Sequence, residues 1–415
     1  MRLLLLALGA AVVTASLEHD AARLDAVVPA GSSCTATANK PALEARLRAM
    51  TAEASRQWNT SYTVGIAYCD GTQAGFSAGW DDIFLRTPLR PDALVPSGSV
   101  TKPWTAVAVL QQVAAGAIDL DTPAHVAVDP ALQLACAKGK PCPAMTMQRL
   151  WGSNPVVNAI TFRHLLGHTS GIQEYPASLQ TDTLNGQEFD PMQLIQMTSN
   201  SLGCAALPCP KYYSSINYVL LGLAMTHLTG AANWADWDQL SIIPASRRRS
   251  LYNATFFPKL GSCSNYGNIS HQYAEVLFQN AADPSRVDFN FYDISDKSCL
   301  NGWAMGNIAA SGMNLAMFFR DLFNPASPSA QLLPEALTAE MVDTSTVAPM
   351  TNGWACAGEG PQAPYDCVNP PPQCAALLAP VEGGAMCCGC RDPPPGTKGD
   401  TGWPPGPGTA GCPQK

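Results

Sequence analysis

In the stretch Pro96-Ser97-Gly98-Ser99-Val100-Thr101-Lys102-Pro103-Trp104, a serine is followed three residues later by a lysine. A serine hydroxyl is a poor nucleophile at neutral pH until a base takes its proton. Residues three apart share a helix face, so a helix beginning here hangs the Lys102 amine beside the Ser99 hydroxyl. An ammonium accepts no proton. The amine becomes a base only if burial or nearby positive charge lowers its pKa, by about 3–5 units for a fully buried group. A helix N-terminus adds roughly half a positive charge, and the N–H of Ser99 is an oxyanion donor in waiting. The motif alone is weak. A chain of this length holds about one Ser-x-x-Lys by chance, and this chain holds one. Its structural alternative is a capping serine and a solvated lysine.

The surrounding pattern supplies the helix. Trp104, Val107, Ala108 and Leu110 lie near helical spacing, Pro103 falls in the tolerant first turn, and Gly116 ends the run. Residues 41–57 favour a helix and contain no glycine or internal proline. SYTVGIAYCDG and TQAGFSAGW then read as strand, Asp70-Gly71 turn and strand. Residues 160–172 predict a short helix stopped at Gly167, and residues 215–229 a helix capped by Ser214 or Ser215 and stopped at Gly230. Residues 308–323 predict a turn and an apolar-faced helix. The body thus reads as one early hairpin followed by a long, mostly helical region. After about residue 346 the chain turns Pro/Gly- and Cys-rich with no helical or strand period, and a disordered tail is expected.

Totals exclude some functions. The chain has 415 residues, a net charge of −8 and 13% charged residues. It can bury a core, and it lacks the basic signature of a nucleic-acid partner. The run Arg247-Arg248-Arg249 reads as a solvated loop. Arg2, the apolar stretch Leu3–Val13 and the small residues Val13-Thr14-Ala15 predict a signal peptide over 1–16. That stretch is too short to span a bilayer, and no later run is long enough, so no transmembrane segment is expected. The sequons at Asn59, Asn253 and Asn268 and the fifteen cysteines agree with a secretory-pathway lumen or a secreted protein. Cys136 with Cys142, and Cys204 with Cys209, look like local staples. His164 and His168, spaced i, i+4, could bind a metal. The rest of a ligand set is missing, however, and a packed turn is the expected reading, with no metal and no organic cofactor.

The ordered company of motifs carries a resemblance. GSVTKPWTAVAVLQQVAAGAIDLDTP resembles the nucleophile region of the serine β-lactamase-related family, which includes class C β-lactamases, D-alanyl-D-alanine carboxypeptidases, esterases and D-aminopeptidases. ITFRHLLGHTSGI, YYSSINYVLLG, AMGNIAASGMNLAMFFRDLF and LLPEALTAEM resemble later family segments in the family's order, over roughly 41–354. The resemblance implies an α+β, β-lactamase/transpeptidase-like fold, with an antiparallel sheet flanked by helices plus a mostly helical region. It implies a hydrolase domain over 41–354 and leaves 355–415 as the tail. It makes Ser99 the nucleophile and Lys102 and Tyr213 the proton-transfer pair. Ser215, standing where the family often has Asn, lines the substrate site. It implies an acyl-enzyme on a small-molecule or peptide amide or ester.

One family feature is not found. No Lys-Thr-Gly, Lys-Ser-Gly or His-x-Gly follows Tyr213, and the C-terminal sheet strands that would carry it are not recognisable. Losing the oxyanion donor on that strand costs about 3–4 kcal/mol of transition-state stabilisation. Three explanations stand: a shifted frame or read-through intron, a true truncation, or another segment covering the edge. The odd cysteine count and lost periodicity favour the first. A catalytically inactive relative that binds or scaffolds is the alternative function.

Overall fold

The computed structural model describes residues 39–136, 145–152, 154–175, 189–198, 202–259, 261–267, 269–279, 287–295, 299, 302–324 and 331–343. The expected signal peptide, the expected tail, Cys142 and Asn268 all fall outside these residues.

Helix α1 (Lys40–Trp58) ends at Asn59, which adopts a left-handed conformation. The expected hairpin follows as β1 (Tyr62–Ala67) and β2 (Gln73–Ala78), paired antiparallel with Val64 opposite Phe76. Short strands β3 (Trp80–Asp82) and β4 (Thr87–Pro88) pair with each other, and β5 is Val95–Pro96. A 3-10 turn over Gly98–Val100 runs into α2 (Thr101–Ala114). Helices α3 (His125–Cys136), α4 (Met147–Leu150), α5 (Phe162–Leu166), α6 (Pro191–Gln196), α7 (Ile216–Leu228) and α8 (Ala245–Leu251) build the helical region. Then come β6 (Thr255–Phe256), β7 (Tyr273–Gln279), β8 (Val287–Asp293), β9 (Ala309–Ala310), α9 (Gly312–Phe323) and α10 (Glu335–Val342).

Helix α7 sits at the centre, and every residue from Ile216 to Thr226 is buried. A helix apolar on all sides belongs inside a core, and α2, α3 and α5 pack around this one. The α+β architecture is the one expected: α1 and α9 lie against the first hairpin, and the remainder is largely helical.

The region after the first hairpin is mostly helical, as expected, and it also holds a second antiparallel hairpin, in which β7 pairs with β8 and Val276 lies opposite Asn290. The alternation Val287, Phe289, Phe291 with Asp288, Asn290 is its signal. Arg247-Arg248-Arg249 is not a solvated loop but lies on α8. Arg247 reaches the buried carboxylate of Asp321 at 2.7 Å, and the Tyr252 hydroxyl donates to the same carboxylate at 2.5 Å. Burying Asp321 requires such partners, so Arg247 is tied to the core, while Arg248 pairs with the exposed Asp238 and Arg249 stays exposed.

Among the described residues, disulfides join Cys204 to Cys209 and Cys263 to Cys299. The first is one of the two expected staples. The sequon residues Asn59 and Asn253 are exposed.

Strand β1 and helix α9 cross at two glycines. A Cβ built on Gly65 would lie 2.0 Å from the backbone carbonyl of Gly312 and 2.4 Å from the Met313 amide. Backbone cannot step aside as a side chain can. Gly65→Ala is therefore expected to lower unfolding stability by about 3 kcal/mol, at the upper end for overpacking, read as a lower denaturant midpoint at unchanged slope.

Candidate active site

The backbone at Ser99 is fixed from both sides. Ahead of it, β5 pairs with β9, and the Ser97 amide donates to the Ile308 carbonyl at 2.8 Å. Behind it, the Thr101 hydroxyl donates to the Gly98 carbonyl at 2.7 Å and accepts from the Ile308 amide at 2.8 Å. Thr105 donates to the Ala304 carbonyl at 2.7 Å. Gly98 has φ +51° with open space where a side chain would stand, so glycine supplies the left-handed turn that lifts Ser99 clear. The Ser99 side chain is exposed. Its amide lies in the first turn, where helix geometry leaves N–H groups without an intrahelical acceptor.

Below, Trp104 anchors α2. Its indole stacks on Phe318 at 4.2 Å and meets Phe257 and Tyr252 edge-on.

Lys102 points the opposite way from a solvated lysine: the residue is 6% exposed. Its Nζ lies 3.0 Å from Ser99 Oγ, 3.0 Å from the Met305 carbonyl and 3.4 Å from Ser215 Oγ. The rings of Tyr213 and Tyr218 face it at 4.8 and 5.6 Å. Burial lowers its pKa to about 7, while Glu174 pulls the other way. A neutral amine has two N–H donors and one lone pair. Met305 and Ser215 can take the donors, which leaves the lone pair for the Ser99 proton.

Tyr213 completes the cluster, its hydroxyl 2.7 Å from Ser99 Oγ. Burial raises its pKa, and its hydrogen bonds with Ser99 and Ser215 oppose that rise. Its placement comes from a strap of cross-links to the 168–173 turn. The Cys209 amide donates to Thr169 O, the Tyr212 amide to His168 O, and the Ser214 hydroxyl to Gln173 O. The Cys204–Cys209 disulfide ties the strap.

All four expected residues, Ser99, Lys102, Tyr213 and Ser215, therefore meet at one place. Ser215 occupies the N-cap position of α7 but makes no side-chain cap; its hydroxyl faces Lys102 instead.

The two histidines part company. His164 is used locally: its Nδ1 accepts from the Thr161 amide at 3.1 Å in a capping box that starts α5. His168 adopts φ +58° and stacks on Tyr213 with ring centres 4.7 Å apart. Its Nδ1 accepts from the Ser214 amide at 3.2 Å. Burial first, then the charges of Lys102 and Lys211, lowers its pKa to about 4, so it is a neutral ring at pH 7.

Sequence reasoning missed three participants: the stacking role of His168, the Met305 carbonyl, and Glu174. The Glu174 carboxylate accepts from the Ser215 amide, and its other oxygen is sealed from solvent without a hydrogen bond among the described residues. Burial raises its pKa, against the Ser215 amide and Lys102, which lower it. The segments HTSGI and AMGNIAASG, quoted for the resemblance, contain His168 and Met305, and Glu174 lies two residues beyond the first of them.

Known proteins share this fold. D-amino acid amidase from Ochrobactrum anthropi SV3, solved with L-phenylalanine, is 17% identical, with a TM-score of 0.51 over 72% of this chain and 73% of that one. The same protein solved with D-phenylalanine gives 17% identity and a TM-score of 0.51 over 72% and 74%. The sequence profile of the family described as Beta-lactamase matches residues 63–411. With that match covering most of its length, the chain belongs to the β-lactamase family.

Proposed function

We propose that the protein is a serine hydrolase that opens amide or ester carbonyls through an acyl-enzyme. The observation that carries this reading is the contact of one exposed hydroxyl with both a buried amine and a tyrosine, at 3.0 and 2.7 Å. Neutral Lys102 takes the Ser99 proton as Oγ bonds to the carbonyl carbon. The Ser99 amide stabilises the oxyanion that forms. Tyr213 then gives its proton to the leaving nitrogen or oxygen and is reprotonated from Lys102, so one proton passes from serine to leaving group. Water releases the acid by the reverse relay. Ser215 holds Lys102 in register. The signal-peptide reading places this reaction outside the cell or in the secretory lumen. The D-amino acid amidase that shares the fold makes a small amide the first substrate class to try.

A second reading rests on one observation: the sequence contains no Lys-Thr-Gly, Lys-Ser-Gly or His-x-Gly after Tyr213. A relative lacking that oxyanion donor would bind ligands without turning them over. A fluorophosphonate probe separates the two. Peptide mass mapping of the labelled, folded protein is expected to find the adduct on Ser99. Folded protein that takes up no label supports the inactive relative.

A further inference from the structure

Glu174 has two carboxylate oxygens in different circumstances. Oε2 accepts the Ser215 N–H at the head of α7, a favourable place for negative charge. Oε1 is buried and makes no hydrogen bond among the described residues, although the Tyr175 amide and the Ser215 side chain act on the carboxylate as a whole. A carboxylate present only to cap the helix would more cheaply turn its second oxygen to water, and an unsatisfied buried oxygen needs a reason. The residue it holds supplies one. Ser215 presents its hydroxyl 3.4 Å from Lys102 Nζ. The carboxylate is thus one residue removed from the base, across low-dielectric protein where charge acts strongly.

Building on the catalytic reading above, we propose that Glu174 is a positioning residue of the reaction. One oxygen fixes Ser215 against Lys102, and its negative charge keeps that buried amine basic enough to take the serine proton.

The surroundings of Lys102 leave this task to Glu174. From the 168–175 turn it is faced by His168 and Glu174, with Tyr175 beside Glu174, and from the strap and α7 by Tyr213 and Tyr218. From the 303–305 segment comes a neutral carbonyl. Lys211 acts on the same turn through His168. His168 is uncharged at neutral pH, and burial raises the pKa of all three tyrosines, so they are uncharged too. Among these groups Glu174 is the anion. Burial alone would drive the lysine further down, and a weaker base takes a proton less well. The opposing carboxylate holds it near neutrality.

The test uses Glu174→Gln and Glu174→Ala in the full chain. The amide oxygen of glutamine can still accept the Ser215 N–H, so only the charge is lost. The rate of fluorophosphonate labelling at Ser99 is measured from pH 5 to 9. Removing an opposite charge disfavours the ammonium, so Lys102 becomes neutral at lower pH. The acid limb of Glu174→Gln is expected to move down by about one pH unit, making labelling on that limb about ten-fold faster relative to its own plateau. Glu174→Ala is expected to show the same displacement with a lower plateau, because Ser215 also loses its acceptor. An acid limb for Glu174→Gln that coincides with wild type overturns the proposal and leaves the hydrolase reading standing. If wild type takes no label at any pH, that reading fails by itself. Lys102 is then titrated by carbon NMR with lysine labelled at Cε, its resonance assigned by its loss in Lys102→Met. A midpoint lower in Glu174→Gln supports the proposal, and equal midpoints overturn it.

Discussion

Ser99→Ala is expected to reduce turnover of an activated p-nitrophenyl ester by on the order of 10⁵-fold or more, the scale of removing a nucleophile that acts as a unit with its base. Among the described residues, the serines nearest the site are not poised to substitute. Ser215 Oγ approaches Lys102 but is buried, and Ser97 is buried and bonded to the Val95 carbonyl at 2.8 Å. The same variant is expected to unfold within about 0.5 kcal/mol of wild type, because the Ser99 side chain is exposed and contributes nothing to the core. A thermal melt beside the rate measurement separates loss of chemistry from loss of fold. Turnover that survives in a well-folded Ser99→Ala would place the nucleophile elsewhere.

The second large effect concerns Lys102. Replacing it with methionine keeps the length of the side chain and removes the lone pair. Labelling of Ser99 is expected to fall by about 10³-fold, within the range for a general base. The pH dependence is the sharper readout. The neutral amine is the active form, so with a midpoint of about 7 the rate rises with pH. About a tenth of the molecules are competent at pH 6 and about nine tenths at pH 8. In Lys102→Met this limb is expected to vanish, leaving only the weak pH dependence of an unassisted hydroxyl. A wild-type profile flat from pH 6 to 8 would mean that the amine does not carry the proton.

Local spacing made much of this legible. Ser99 and Lys102 sit one turn apart in a run whose apolar period and closing glycine mark a helix, and the structure keeps both features. Asp70-Gly71 between alternating segments gave the first hairpin. Tyr213 and Ser215 were found only through the resemblance, because nothing in their own neighbourhood ties them to a serine 114 residues earlier. The rest depends on contacts that spacing does not record. Met305 reaches Lys102 across 203 positions, and it does so through a backbone carbonyl that any residue would carry. Strands β5, β6 and β9 are two residues each, too short to show a period. The solvated-loop reading of Arg247 failed because its carboxylate partner lies 74 positions away on another helix. Glu174 went unnoticed because a single acidic residue in a loop defaults to the surface.

The carbonyl that holds Lys102 has a further consequence. Gly302 and Trp303 both have positive φ, at +95° and +45°, and they cap and open the 3-10 turn Trp303–Met305. Such a conformation is costly for tryptophan and persists only when its surroundings enforce it. The enforcing surroundings are the Trp234 and Trp237 rings, edge-on to Trp303 at 5.6 and 5.9 Å, and Gly222 of α7, where an added Cβ would come within 2.8 Å of the Trp303 ring. The aim of the proton acceptor is therefore set by an indole nest in the protein's interior. Inherited or engineered changes at Gly222 or Trp237, remote from any bound substrate, would therefore reach the reaction through the same packing that holds the fold.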